Sequence, residues 1–170
     1  MKRNIYITLL LGAVLMPSCT SKKDSAEALT YISNSGEIFY TSYHIKYEYS
    51  KSLEKEILDE LERFELSLNP FRENTIITKI NENITVEPDS MFLDVFNKSI
   101  EVSKNTGGKF DITASPLIDA WGFGFKNIDN VTPEIIDSIL QFVGYEKIFI
   151  NKEGLIEKID PRVQINTSAI

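Results

Sequence analysis

Residues 107–124 read GGKFDITASPLIDAWGFG, and most of the unusual chemistry of this chain is concentrated there. Gly107 and Gly108 have no side chains, so backbone N–H groups at that point could approach a ligand closely. Lys109 follows them as a cation. Asp111 lies between Phe110 and Ile112, and an acid in apolar company has to be paired, hydrogen-bonded or bound to a ligand. Thr113 and Ser115 can bond the backbone and brace the turn into Pro116. Trp121, Phe123 and Phe125 add flat apolar area. A plainer reading stays open on these residues alone: Asp111 caps a turn, and the Trp-Gly-Phe-Gly end is mostly packing.

Two further stretches invite the same question. Leu68-Asn69-Pro70-Phe71-Arg72 puts an aromatic ring and a guanidinium in a loop after a helix. Phe71 could stack on a planar ligand and Arg72 could face a phosphate. The alternative is a helix stop with Phe71 tucked into the core. Residues 164–170, QINTSAI, leave a strand-like run as small polar residues, which by themselves suit a polar strand end.

Several chemistries are excluded. The chain has one His, His44, and one Cys, Cys19, so a zinc site of the His/Cys type has no ligand set. No nucleophile–His–acid arrangement, phosphate-binding P-loop or dinucleotide fingerprint is present. A net charge of −7 opposes nucleic-acid binding, which needs a basic surface.

These residues must be held by a fold, and 170 residues make one domain. The first segment stands apart from it. Lys2 and Arg3 precede an apolar run, Ile5 to Met16, too short to span a bilayer comfortably. Cys19, after Ser18, resembles the lipidation site of a bacterial lipoprotein. The reading is a lipoprotein signal over 1–18, a flexible tether over 19–35 and a domain over 36–170, the alternatives being an ordinary secretory signal with an incidental Cys or an uncleaved anchor.

Within the domain, Phe39, Thr41, Tyr43, Ile45, Tyr47 and Tyr49 alternate with mostly polar neighbours, the pattern of a half-buried strand. Leu53, Ile57, Leu58, Leu61, Phe64 and Leu68 follow helical spacing from about Ser52 to Ser67, and Asn69-Pro70 stops the helix. A short helical piece covers about Thr75 to Asn81. Asp89 can cap a longer helix that ends at Gly107-Gly108. Thr132-Pro133-Glu134 starts another. KIFIN, a KEG turn and LIEKID predict a hairpin over about 147–160, and Val163 to Thr167 predicts one more strand. Interspersed helices and strands with a hairpin give an α+β fold with an antiparallel or mixed sheet.

Taken in order, GEIFYTSYHIKY, FELSLNPFRENTIITKIN, GGKFDITASPLIDAWGFG, VGYEKI and INTSAI resemble the motifs of the ApbE flavin transferases. The resemblance runs over about residues 36–170. It implies a T-fold-related α+β domain that binds FAD and Mg²⁺ on the extracytoplasmic face of the membrane. It implies transfer of FMN from FAD onto a Thr or Ser hydroxyl of an acceptor flavoprotein subunit of a membrane redox complex, with release of AMP. FAD hydrolysis by a pyrophosphatase, or flavin binding without turnover, would use the same pocket.

Position by position, the resemblance places Phe39, Phe71, Lys109, Phe110, Asp111 and Asn166 against FAD, and the carbonyl of Ala169 on magnesium. Two departures stand out. Tyr40 replaces the usual Gly, and Asn166 replaces the usual Asp. INTSAI also resembles the start of a longer Asp-Leu-Ser-x-Ile-Ala-Lys-Gly-Tyr segment, after which the family carries an Asp and a Thr for the metal. The expectation is therefore a truncated chain, inactive by itself.

Overall fold

The computed structural model describes residues 29–38, 41–123 and 130–167. Two strands come first, β1 (Thr30–Ile38) and β2 (Thr41–Tyr49), paired antiparallel from Thr30 opposite Tyr49 to Ile38 opposite Thr41. Ile32, Asn34, Gly36 and Ile38 share a half-buried face with Tyr43, Ile45 and Tyr47, and the residues between them are exposed. Gly36 faces Tyr43, where a Cβ would lie 2.8 Å from the tyrosine ring. Tyr47 anchors the ribbon: its hydroxyl donates to Asn34 Oδ1 at 2.7 Å and accepts the Leu53 N–H at 2.7 Å. The strand expected around 39–49 is present as β2. Its partner β1 starts inside the stretch read as tether, so Thr30–Ser35 belong to the folded part.

Helix α1 (Glu54–Leu68) has the predicted spacing, but its apolar stripe is not buried as expected. Only its end enters the core, with Ser67 and Leu68 buried, while Leu58, Phe64 and Leu66 remain exposed. Helix α2 (Ile76–Asn81) is capped by Thr75, whose hydroxyl accepts the Thr78 N–H and donates to the Asn69 carbonyl at 2.9 Å. Helix α3 (Ser90–Asn105) begins as the sequence indicates, with Asp89 accepting the Phe92 N–H at 2.7 Å. It ends at two glycines with φ of 62° and 80°, whose N–H groups return to the carbonyls of Lys104 and Ser103.

Helix α4 (Ser115–Ala120) turns through Pro116, a position read from sequence as a turn only. Helix α5 (Pro133–Leu140) is capped by Thr132. Beyond it, the Lys147 ammonium donates to the carbonyls of Leu140, Gln141 and Val143, a cation at the negative helix end. The expected hairpin is β3 (Ile148–Ile150) with β4 (Ile156–Lys158), and Asn151 Oδ1 shapes its turn by accepting the N–H groups of Glu153 and Leu155. The described strands thus form two separate antiparallel pairs. No described helix is long and apolar enough to cross a membrane.

The core gathers Leu68, Ile77, Ile80, Phe92, Phe96, Ile112, Ile148, Val163 and Ile165. Phe92 and Phe96 stack with centroids 6.0 Å apart. Val163 and Ile165 are fully enclosed, yet residues 163–167 do not pair as a strand. The strand predicted there is replaced by an extended segment whose backbone is met by side chains and loops.

Asp89 joins two parts of this arrangement, because Oδ1 also accepts the hydroxyl of buried Ser67 at 2.9 Å. Asp89→Ala removes a helix cap and strands that hydroxyl, so urea unfolding should show a loss of about 1–3 kcal/mol. Asp89→Asn keeps an acceptor and should lose clearly less.

Candidate functional site

The extended segment 163–167 brings the sequence motifs together. The Asn166 N–H donates to the Ile112 carbonyl at 3.0 Å, which fixes it to the Lys109-Phe110-Asp111 loop. The Thr167 hydroxyl donates to the Leu68 carbonyl at 2.7 Å, which fixes it to the Asn69–Arg72 loop. Three stretches far apart in sequence therefore meet along one seam, with Asn166 buried in it. A cleft of about 230 Å³ opens beside the seam, lined in part by Pro70, Asn81, Ser115, Asp119 and Gln164. That is below the roughly 300–1,000 Å³ of a small-molecule pocket, so the described residues supply a wall rather than an enclosed site.

None of Phe71, Lys109, Phe110, Asp111 and Asn166 lines this cleft; on the loops tied to the seam Phe71 is 42% exposed, Phe110 is half-buried and Lys109 is exposed. Phe71 is presented by an Asx turn in which Asn69 Oδ1 accepts its N–H at 2.8 Å. This exposure opposes the alternative in which Phe71 is tucked into the core.

Asp111 is committed internally. Its Oδ1 accepts the N–H and the hydroxyl of Thr113, at 2.8 and 2.6 Å, and its Oδ2 accepts the Tyr145 N–H at 2.9 Å. The Thr113 hydroxyl in turn accepts the Gly144 N–H at 2.7 Å. Asp111 thus holds the signature loop to the turn after α5, as a turn-capping acid does. The amides of Gly107 and Gly108, which the sequence offered to a ligand, are used to close α3.

Arg72 likewise has protein partners rather than an open phosphate site. Its guanidinium forks onto Glu62 at 2.9 and 2.8 Å and reaches Glu65 at 2.9 Å, tying the loop back to α1. Trp121 and Phe123 are 61% and 83% exposed, so they do not pack as expected within the described residues. Phe39, Cys19 and Ala169, assigned to flavin, lipid and metal, lie outside the described residues, as does the Tyr40 departure.

Sequence reasoning missed the residues that hold the seam. Asn81 pairs with the backbone of Ile165 through both side-chain groups. Lys158 donates to the carbonyls of Ile80 and Asn81. The only available signals were polar residues ending apolar runs, at Ile80-Asn81 and Ile156-Glu157-Lys158, and these do not name a partner.

Two outcomes test this geometry. Asp111→Ala leaves the Thr113 and Tyr145 amides without their acceptor, so hydrogen exchange should accelerate at Gly144 and Tyr145, with about 1–3 kcal/mol lost in urea. Unchanged exchange there would remove the tie. The hydrogen bond from Arg72 holds the Glu62 carboxyl below its ordinary 4.5. A carboxyl lowered in the folded state contributes fully above its ordinary value and loses that contribution as pH falls through the lowered one. The Arg72 side-chain N–H resonances should therefore shift with a midpoint below 4.5. A midpoint at or above that value contradicts the pairing.

Comparison with known proteins agrees with this architecture. The ApbE family model matches residues 39–170. The FAD:protein FMN transferase of Haemophilus influenzae is 27% identical over 178 residues, covering 95% of this chain and 51% of that protein. The FAD:protein FMN transferase of Vibrio cholerae is 26% identical, covering 97% of this chain and 51% of that protein. The solved structure of the flavin transferase ApbE from Vibrio cholerae has a TM-score of 0.72 at 25% identity, covering 81% of this chain and 48% of that one. The chain spans about half the length of the curated relatives it matches. With its α+β architecture shared and its motifs in family order, the chain belongs to the ApbE family.

Proposed function

We propose that this chain supplies one wall of an FAD site in a transferase that moves FMN from FAD onto a Thr or Ser hydroxyl of an acceptor flavoprotein and releases AMP. The observation that carries it is the seam itself. Two hydrogen bonds from residues 166–167 draw the 68–72 loop and the 109–113 loop to one place, leaving Phe71 half-open beside them. The naming of the Haemophilus and Vibrio relatives as FAD:protein FMN transferases supports the substrate.

In this reading Phe71 and Phe110 offer apolar faces to the flavin or adenine ring, and Lys109 offers charge to the pyrophosphate. Asn166 orients the ligand from inside the seam. The reaction breaks the FAD pyrophosphate: the acceptor hydroxyl attacks the FMN phosphorus, its proton is lost, and AMP leaves. The described residues include no group of three or more His, Cys, Asp or Glu able to hold a metal. Magnesium dependence rests on the resemblance around INTSAI.

The same reading places the protein on the extracytoplasmic face of the membrane, lipid-anchored at Cys19, beside an acceptor subunit of a redox complex. The basic and apolar leader before Cys19 supports that placement.

Flavin fluorescence titration tests the wall. FAD should bind, and Phe71→Ala should weaken binding about tenfold, or about 1.4 kcal/mol, as expected for a lost ring contact. With FAD, magnesium and an acceptor domain, in-gel fluorescence on the acceptor marks transfer, whereas AMP without labelled protein marks hydrolysis. An absence of FAD binding sinks the proposal.

A further inference from the structure

We propose that Asn81 is a positioning residue that sets the flavin-facing segment by making the backbone pairing a neighbouring β-strand would make. This deepens the flavin-site reading and rests on it. Ile165 is fully enclosed and its backbone groups need partners. Asn81 supplies both, with Oδ1 accepting the Ile165 N–H at 2.8 Å and Nδ2 donating to the Ile165 carbonyl at 2.9 Å. One primary amide thus reproduces the paired donor and acceptor that a neighbouring strand would offer. Only Asn or Gln has both groups in one plane, and Gln is longer by a methylene.

The anchor is itself held. Asn81 is the last residue of α2, and Lys158 from β4 donates to the carbonyls of Ile80 and Asn81 at 2.9 and 3.4 Å. Burial lowers the Lys158 ammonium from its ordinary value, and the nearby Asp160 charge opposes that shift. The chain of contact runs from β4 through the end of α2 to Ile165. Asn166 follows directly, and its N–H reaches the Ile112 carbonyl beside Asp111. A shift at Asn81 therefore moves Asn166 relative to the 109–113 loop.

Three variants test it in the full chain: Asn81→Ala, Asn81→Asp and Asn166→Ala. Asn81→Asp keeps the acceptor, loses the donor and sets a carboxylate against a carbonyl. Amide exchange at Ile165 and Asn166 should accelerate in Asn81→Ala, and FAD affinity should fall about tenfold or more. The decisive comparison is the double variant. If Asn81 acts through Asn166, Asn81→Ala should cause less than a twofold further loss of affinity in the Asn166→Ala background. Asn81→Asp should weaken FAD binding while keeping most of the exchange protection at Ile165. Additive losses of affinity, or unchanged FAD binding in Asn81→Ala with accelerated exchange, would show a purely structural anchor and overturn the inference. A wild-type chain that binds no FAD defeats the flavin reading first and takes this inference with it, a distinguishable result.

Discussion

A buried extended segment must satisfy its backbone, and among the described residues it has no strand beside it. Residues 163–167 pass through the interior, with Val163 and Ile165 enclosed by the core. Each buried backbone group left unpaired would cost about 1–3 kcal/mol, comparable to a large share of a small domain's stability. The molecule answers with Asn81 for Ile165, the Ile112 carbonyl for Asn166 and the Leu68 carbonyl for the Thr167 hydroxyl. The convergence of the motifs follows from this need. Loops carrying Phe71 and Phe110 are brought to the same segment, one through the Thr167 hydroxyl and the other through the Asn166 N–H.

The same solution recurs around the seam. Asp111 and Thr113 meet the amides of Gly144 and Tyr145, and Lys147 and Lys158 meet carbonyls at the ends of α5 and α2. Polar side chains that look available for chemistry in the sequence are largely used as local substitutes for secondary structure. Among the flavin-assigned residues described, Phe71, Phe110 and Lys109 keep exposed or half-exposed side chains. This suits a wall that recognises a flat ligand and its phosphates through shape and charge.

Every described α-helix but α4 was legible because its signals are local. Asp89, Thr75 and Thr132 each cap the helix they precede, and Gly107-Gly108 closes α3. The α+β class and the β3–β4 hairpin were equally readable. Strand β1 was missed because Ser33, Asn34, Ser35 and Gly36 have tether-like composition; pairing with β2, which no local pattern reports, makes them a strand. Residues 163–167 were misread for the opposite reason, since their β-like pattern is real but their partners are the Asn81 side chain, 84 positions away, and the backbone carbonyls of Ile112 and Leu68. The motifs located the candidate site, but whether Asp111 and Arg72 face a ligand or the protein depends on tertiary pairing.

The link between Asn81 and Ile165 also bears on how the molecule acquires its shape. It closes a loop of 84 residues, at an entropic cost on the order of 4 kcal/mol. Two amide hydrogen bonds, each worth about 1 kcal/mol net, cannot offset that alone. The seam therefore forms only once the aliphatic side chains of Val163 and Ile165 have been drawn into the core already gathered around Phe92 and Phe96. The ribbon of β1 and β2 closes over a two-residue connection and has no such wait. By loop length alone, the ribbon and helices close at far smaller entropic cost than the seam.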